Sequence, residues 1–234
     1  MAGALPVCPS KINFSQGSQM FVIHRPQFFL ILILLVLLPI IVWGKNTGNP
    51  LLYFTDWVPV GQGYYVLSKL AALISLLLFG VQALIGLFHV KFSFANKQRV
   101  HRWVGASVLL MVLLHVSGFI AATSLRSGHF TGHFLLPDID DYYHARITVG
   151  LVALILILSA VFARIWLSGT LQKWGHRFAI PAFYLAAWHA LTIGTESRHP
   201  IIQMVLIVLM ILIGLGILRR LLLRPKPMRR VSTE

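Results

Sequence analysis

Residues 101–118 read HRWVGASVLLMVLLHVSG. This stretch places His101 and His115 14 positions apart in a largely apolar run. Residues 175–190 read GHRFAIPAFYLAAWHA and place His176 and His189 13 positions apart in the same way. Polar side chains inside apolar spans are costly and usually functional, so both stretches predict membrane spans that carry a site.

The composition agrees with a membrane protein. Hydrophobic residues make up 57% of the 234-residue chain and charged residues 11%, against about 25% charged residues in soluble domains. Apolar runs near the length of a membrane-crossing helix predict six spans. They are residues 27–44, 66–90, 100–123, 146–166, 175–194 and 200–222. We therefore expect an all-α, polytopic six-helix bundle, with a cytoplasmic segment (1–26), a transmembrane domain (27–223) and a basic cytoplasmic tail (224–234).

The net charge of +14 does not indicate a nucleic-acid partner, because the basic residues lie between apolar spans and form no single stripe. With a cytoplasmic N-terminus, fifteen of the 20 Lys and Arg residues fall on the inside. This bias predicts that both termini are cytoplasmic, and we expect the bacterial inner (plasma) membrane. Membrane lipids are the expected contacts of the basic tail.

The histidines fall at two levels of the bundle. Spans three and five run in the same direction, so His101 lies level with His176 near the inside, and His115 lies level with His189 near the outside. At a rise of 1.5 Å per residue the two levels are about 20 Å apart. Two imidazoles on facing helices can ligate a haem iron from both axial sides. The four histidines therefore predict two stacked b-type haems, held in the core without a CxxCH attachment because the chain has one cysteine.

The angular positions of the histidines around each helix support the haem prediction for span three but not for a regular span five. On an ideal helix His115 lies within about 40° of His101, whereas His189 lies about 140° from His176. Pro181 lies between His176 and His189, and a proline inside a helix distorts that helix. The span-five site thus depends on an irregular helix. An alternative of another class is a haem-free transporter or channel in which the histidines relay protons.

Neighbouring residues extend the predicted site. Gly105 and Gly118 are expected to leave room for a flat macrocycle beside the histidines of span three. Arg102 and Arg177 directly follow the inner histidines and suit the propionates of an inner haem. The corresponding candidates at the outer level are Arg126, Arg146 and Arg198.

The outer loop between spans three and four is rich in groups that bind divalent metals. They are His129, His133, Asp138, Asp140, Asp141 and His144. A metal-chelate docking site and an ordinary polar loop are both open, and the polar loop is the favoured interpretation.

At the histidine motifs the chain resembles the ferric-reductase-like transmembrane superfamily. That superfamily includes the membrane domains of ferric reductases and NADPH oxidases, and the haem-binding membrane subunit of a periplasmic methionine-sulfoxide reductase system. Residues 101–105 through His115, and 175–177 through His189, match its histidine pairs on the third and fifth of six helices. The resemblance covers roughly residues 66–222. It implies an oxidoreductase component that passes electrons from a cytoplasmic donor to an outer acceptor, with ferric iron as the leading acceptor.

Two departures refine this expectation. The sequence has no Gly-rich dinucleotide fingerprint, so a flavin reductase or quinol must supply the electrons, with any flavin or quinone belonging to the partner. The methionine-sulfoxide-type subunit lacks a histidine at the position of His101, which favours the two-haem ferric-reductase type. The outer acceptor is then an iron chelate, and the alternative is a periplasmic reductase protein.

Overall fold

The computed structural model describes residues 21–222 apart from positions 56, 89 and 94, and describes only the backbone at positions 21, 90 and 91. Most of the predicted N-terminal segment and nearly all of the basic tail lie outside these residues. The described helices are α1 (Arg25–Thr47), α2 (Gln62–Leu87), α3 (Lys97–Ser127), α4 (Tyr142–Trp166), α5 (Gly169–His176), α6 (Ala179–Ile193) and α7 (Pro200–Leu222). Short 3-10 helices form at Pro50–Phe54 and Gly132–Leu135.

Five of these helices are long and apolar enough to cross a membrane, namely α1, α2, α3, α4 and α7. These five helices confirm the prediction of an all-α membrane protein. The predicted span 175–194 is not a single helix. It divides between the end of α5 and the 15-residue helix α6, which is shorter than the roughly 20 residues that cross a hydrocarbon core.

The division has a local cause in Pro181. Proline has no N–H and its ring clashes with the carbonyl four residues before it, which here belongs to Arg177. The Arg177 carbonyl accepts instead from the N–H of Ile180 at 3.1 Å, and the N–H of Phe178 bonds to the Gly175 carbonyl at 3.1 Å. These i→i+3 bonds tighten the chain as a 3-10 turn does, with more rotation per residue than an α-helix. Pro181 then lies in the first turn of α6, where its missing N–H is tolerated.

Side chains and a glycine set the bounds of α3 and α4. Asn96 accepts a hydrogen bond from the N–H of Gln98 at the start of α3, and Asp141 accepts one from the N–H of His144 at the start of α4. Such N-caps satisfy amides that have no partner inside the helix. α3 ends at Gly128, whose left-handed backbone (φ 71°) is open to glycine without strain.

The bundle is built from two closely packed helix pairs, α2 with α3 and α4 with α6. α2 is the most enclosed, with 56% of its apolar stretch inside the protein, against 11% for α3 and 17% for α4. α3 and α4 therefore have faces that other described helices do not cover. Parts of these faces line a cavity between the two pairs.

Contacts at the end of α2 tie the predicted inner side together. Strand β1 (Phe21–Ile23) pairs in parallel with β2 (Val90–Phe92), just after α2. Arg220 of α7 donates to the carbonyls of Gly86 and Leu87 at 2.6 and 3.1 Å, and Lys97 donates to the Phe88 carbonyl at 2.7 Å. Cationic donors thus satisfy carbonyls that a helix C-terminus leaves without intrahelical partners.

Candidate functional site

The structure brings the four predicted histidines together as two pairs. The ring centroids of His101 and His176 are 5.9 Å apart, and the ring planes make an angle of 76°. Those of His115 and His189 are 6.5 Å apart, at 62°. Each pair joins α3 to the α5–α6 segment, one through His101 near the start of α3 and the other through His115 in its second half. These are the partners that the two levels predict.

The separations suit a shared metal. Metal–imidazole bonds of about 2 Å on opposite sides of one ion put the ring centroids roughly 6 Å apart. Both measured separations lie close to that value. The tightened turn before Pro181 adds rotation between His176 and His189, in the direction that reduces their mismatch on an ideal helix.

The outer pair is oriented by backbone carbonyls of neighbouring helices. Nδ1 of His115 lies 3.0 Å from the Ser68 carbonyl on α2, and Nδ1 of His189 lies 2.8 Å from the Arg146 carbonyl on α4. A carbonyl only accepts, so each Nδ1 carries the proton and each Nε2 keeps a lone pair. This is the arrangement that a metal-ligating histidine commonly shows.

Gly150 makes room for the ring of His189. A methyl group at Gly150 would lie 2.8 Å from both Cε1 and Nδ1 of that ring. Gly150 is one turn along α4 from Arg146, whose carbonyl takes the His189 proton. α4 therefore supplies both the space and the acceptor that hold this imidazole in place.

A cavity of about 210 Å³ surrounds the outer pair. Both rings line it, together with apolar side chains of α2, α3, α4 and α6 and the aromatic rings of Tyr65, Phe134 and Tyr143. Apolar walls with a few polar groups are typical of cofactor sites between the helices of a bundle.

The inner pair is held differently. Nδ1 of His101 and Nδ1 of His176 are buried and have no hydrogen-bond partner among the described residues. The backbone around His101 is fixed by Gln82 of α2, whose amide donates to the His101 carbonyl at 2.8 Å. A Cβ on Gly86 would lie 3.6 Å from Cε1 of His101, which is ordinary contact. Each inner ring thus has a buried Nδ1 that no described residue pairs with, unlike the rings of the outer pair.

The expectation for Gly105 and Gly118 is not what the structure shows. A Cβ on Gly105 would meet the Gln82 amide nitrogen at 2.8 Å, and one on Gly118 would meet Cβ of Ser68 at 3.0 Å. Both glycines face α2, so their small size serves the close packing of α2 on α3. The cavity beside the outer histidines is lined by α2, α3, α4 and α6.

The inner arginines lie at the surface. Arg102 and Arg177 are both exposed, and the Arg177 guanidinium stacks over the ring of Trp174 at 4.4 Å. Both directly follow the inner histidines in the chain.

The three outer arginines differ in how far they are already engaged. Arg126 donates to Gln62 at 2.6 Å, and Arg198 donates to the carbonyls of Leu191 and Thr192 near the end of α6. Arg146 lies over the rings of Tyr142 and Trp188 at 4.7 and 5.6 Å. Its Nε is buried and has no partner among the described residues. Arg146 is therefore the outer arginine best placed to bind an added carboxylate.

In the outer loop, the structure pairs His144 with Asp141. Nδ1 of His144 lies 2.6 Å from the Asp141 carboxylate, and the ring of His144 stacks on Phe134. Hydrogen bonds from the backbone N–H and then the ring of His144 hold the pKa of the Asp141 carboxyl below its usual value. Across the part of the chain that the structure describes, no group of three or more His, Cys, Asp or Glu side chains is placed to hold a metal ion.

An ion pair lies beside the same cavity. Nζ of Lys69 on α2 lies 2.5 Å from the Glu196 carboxylate in the loop after α6. Nζ also donates to Thr195 at 2.7 Å, and the Thr195 hydroxyl donates to Glu196 at 2.7 Å. Lys69 and Glu196 both line the cavity that contains the outer histidines.

Sequence reasoning missed Gly150, Ser68 and the Lys69–Glu196 pair. A glycine in span four at the outer histidine level was a usable signal for Gly150. The other contacts carried no such signal, because a carbonyl acceptor is common to every residue type and the ion pair joins positions far apart in the chain.

In comparisons with known proteins, no family model, no curated protein and no solved structure matches this chain.

Proposed function

We propose that this protein is a membrane b-type cytochrome that carries electrons between the two faces of the bilayer through two bis-histidine haems. The observation that carries the proposal is the pairing of four intramembrane histidines at two levels, with ring separations of 5.9 and 6.5 Å. Each pair offers two imidazoles, which is the number of axial positions on a haem iron. The bound haem supplies the one-electron chemistry, and the chain supplies ligation and orientation.

The donor atoms of the outer pair suit haem ligation well. The carbonyls of Ser68 and Arg146 hold the protons of His115 and His189 on Nδ1, which leaves both Nε2 atoms as ligands. The cavity beside them is mainly apolar. An apolar site of this kind excludes water, and its dielectric and hydrogen bonds tune a redox potential.

The inner pair provides the second site. His101 and His176 keep buried, unpartnered ring nitrogens within the described residues. Because His101 and His115 lie on one helix, about 20 Å apart, two sites on α3 would form a path along the bilayer normal. In this proposal the α5–α6 segment is the sixth crossing, with its helix broken before Pro181.

Charged side chains near each site suit the haem carboxylates. Arg146 has a buried Nε free at the outer level, and Arg102 and Arg177 lie beside the inner histidines. Arginine binds carboxylates through paired N–H donors, so these side chains would orient each macrocycle as well as neutralise it.

The partners follow from the predicted orientation and the resemblance. A cytoplasmic flavin reductase or quinol would supply electrons at the inner pair, and a ferric chelate would receive them at the outer face. The membrane is the bacterial inner membrane in this proposal, with both termini cytoplasmic.

The acceptor can be tested with protein in lipid nanodiscs, reduced anaerobically and mixed with ferric citrate in a stopped-flow instrument. We expect the haem absorption to return to the oxidised form while a ferrous chelator reports Fe²⁺ in equal amount. The Gly44→Ala variant, changed in α1 where nothing lies within 4 Å of the added methyl group, serves as the control and should react at the unaltered rate. Haem that stays reduced in ferric citrate would overturn ferric iron as acceptor and favour a periplasmic protein in its place.

A further inference from the structure

The outer clasp, which we define as Lys69, Thr195 and Glu196, joins two parts of the fold that carry the outer histidine pair. Lys69 directly follows Ser68, whose carbonyl accepts the His115 proton. Glu196 lies seven positions after His189, in the loop that ends α6. The ion pair therefore connects the α2 turn that orients one imidazole to the loop that continues from the other.

The outer clasp is a buried contact. Glu196 is 5% exposed, and the side chain of Lys69 is 22% exposed. A buried carboxylate without its partner is strongly unfavourable, so the pair holds its geometry far more firmly than a surface ion pair. The Lys69 ammonium also lies 5.4 Å from the centre of the Tyr65 ring, which restrains it further.

Further hydrogen bonds connect the residue next to the clasp with the end of α6. The Ser197 hydroxyl, next to Glu196, is hydrogen-bonded to the carbonyls of Ala190 and Gly194. Ala190 is the residue after His189. A movement of the Glu196 loop would thus reach the backbone beside the histidine through these bonds.

We propose that the outer clasp is a positioning device that sets the separation and the relative ring angle of His115 and His189. The inference rests on the proposed haem function and deepens it, because it names residues that fix the outer site without touching the metal. Lys69 and Glu196 are positioning residues in this sense. They act through Ser68 and through the loop that follows α6.

A different role for the same residues would be purely electrostatic, and the two roles predict different results. A positive charge near an iron raises its potential and a negative charge lowers it. If only charge mattered, Lys69→Met and Glu196→Gln would shift the outer haem potential in opposite directions, and the double variant would show the sum. If the pair positions the rings, either change breaks the same connection, so both variants alter the site alike and the double variant adds little.

The test uses the full-length chain in nanodiscs, with the variants Lys69→Met, Glu196→Gln and the double variant. The readouts are the low-spin ferric EPR spectrum, which reports the angle between the two imidazole planes, and a potentiometric titration of the outer component. We expect the same EPR displacement in all three and no change in the inner component. Lys69→Arg keeps the ion pair and should retain the native spectrum. Asp141→Asn alters an exposed ion pair at the same end of the protein. It is the matched control and should also retain the native EPR spectrum.

Three results would overturn the inference. Opposite and additive potential shifts with an unchanged EPR spectrum would assign the residues an electrostatic role. Unchanged spectra and potentials in protein that binds two haems would show that the clasp does not act on the site. An unmodified protein that binds no haem would instead overturn the proposed function, and with it the role of the clasp.

Discussion

Replacing His115 with leucine and replacing His189 with leucine should remove the same haem component and leave the other in place. The two rings face each other across one site at 6.5 Å, so losing either imidazole leaves one iron with a single axial ligand. Leucine fills the apolar site without offering a donor atom. We expect each variant to lose about half of its bound haem, since a bis-histidine site needs both axial ligands. Reduced-minus-oxidised spectra and haem content per chain measure this.

The inner histidines give the reciprocal result. His101→Leu and His176→Leu should both remove the component that the outer variants retain. The control is His129→Leu, which alters an exposed outer-loop histidine and should bind haem normally. Loss of different components by His115→Leu and His189→Leu would show that these two residues do not share an iron.

Gly150→Ala should lower the haem affinity of the outer site, although Gly150 has no side chain that could bind haem. The added methyl would lie 2.8 Å from the His189 ring, including its Nδ1, so the ring must shift and the hydrogen bond to the Arg146 carbonyl is disturbed. Loss of such a supporting hydrogen bond lowers metal affinity by about 10- to 100-fold. Haem titration of the apoprotein, followed in the Soret region, should show this loss at the outer component alone.

Gly44→Ala is a matched control for that experiment. Gly44 is also a glycine within a helix, but nothing lies within 4 Å of the place where its Cβ would be. Alanine favours a helix over glycine by about 1 kcal/mol, so this variant should bind haem normally and be no less stable. Equal haem affinity of Gly150→Ala and the unmodified protein would contradict the role of Gly150.

The sequence predicts the histidine pairs because spacing, helix direction and rise per residue are readable without a structure. His101 and His115 satisfy all three on a regular helix. Sequence reasoning also indicates that the helix around Pro181 must be irregular, since His176 and His189 are otherwise out of phase. It does not show where the irregularity falls. The clash of Pro181 is with the carbonyl of Arg177, so the tightened turn precedes the proline.

Other parts of the site depend on which helix a residue faces, and sequence does not give that. Gly105 and Gly118 lie near the histidines along α3, yet both face α2 and allow it to pack closely. Gly150 lies on another helix and faces His189 directly. Lys69 and Glu196 meet only because α2 and α6 pack in the same bundle. Each of these contacts is set by tertiary packing.

The haem content of the purified 234-residue chain tests whether the two histidine pairs bind haem. The protein should be expressed with ample haem, purified in mild detergent, and assayed by pyridine haemochrome against protein concentration. We expect a b-type spectrum and two haems per chain, one for each histidine pair. A protein without Soret absorption would contradict this expectation and favour the haem-free transporter in which the histidines relay protons.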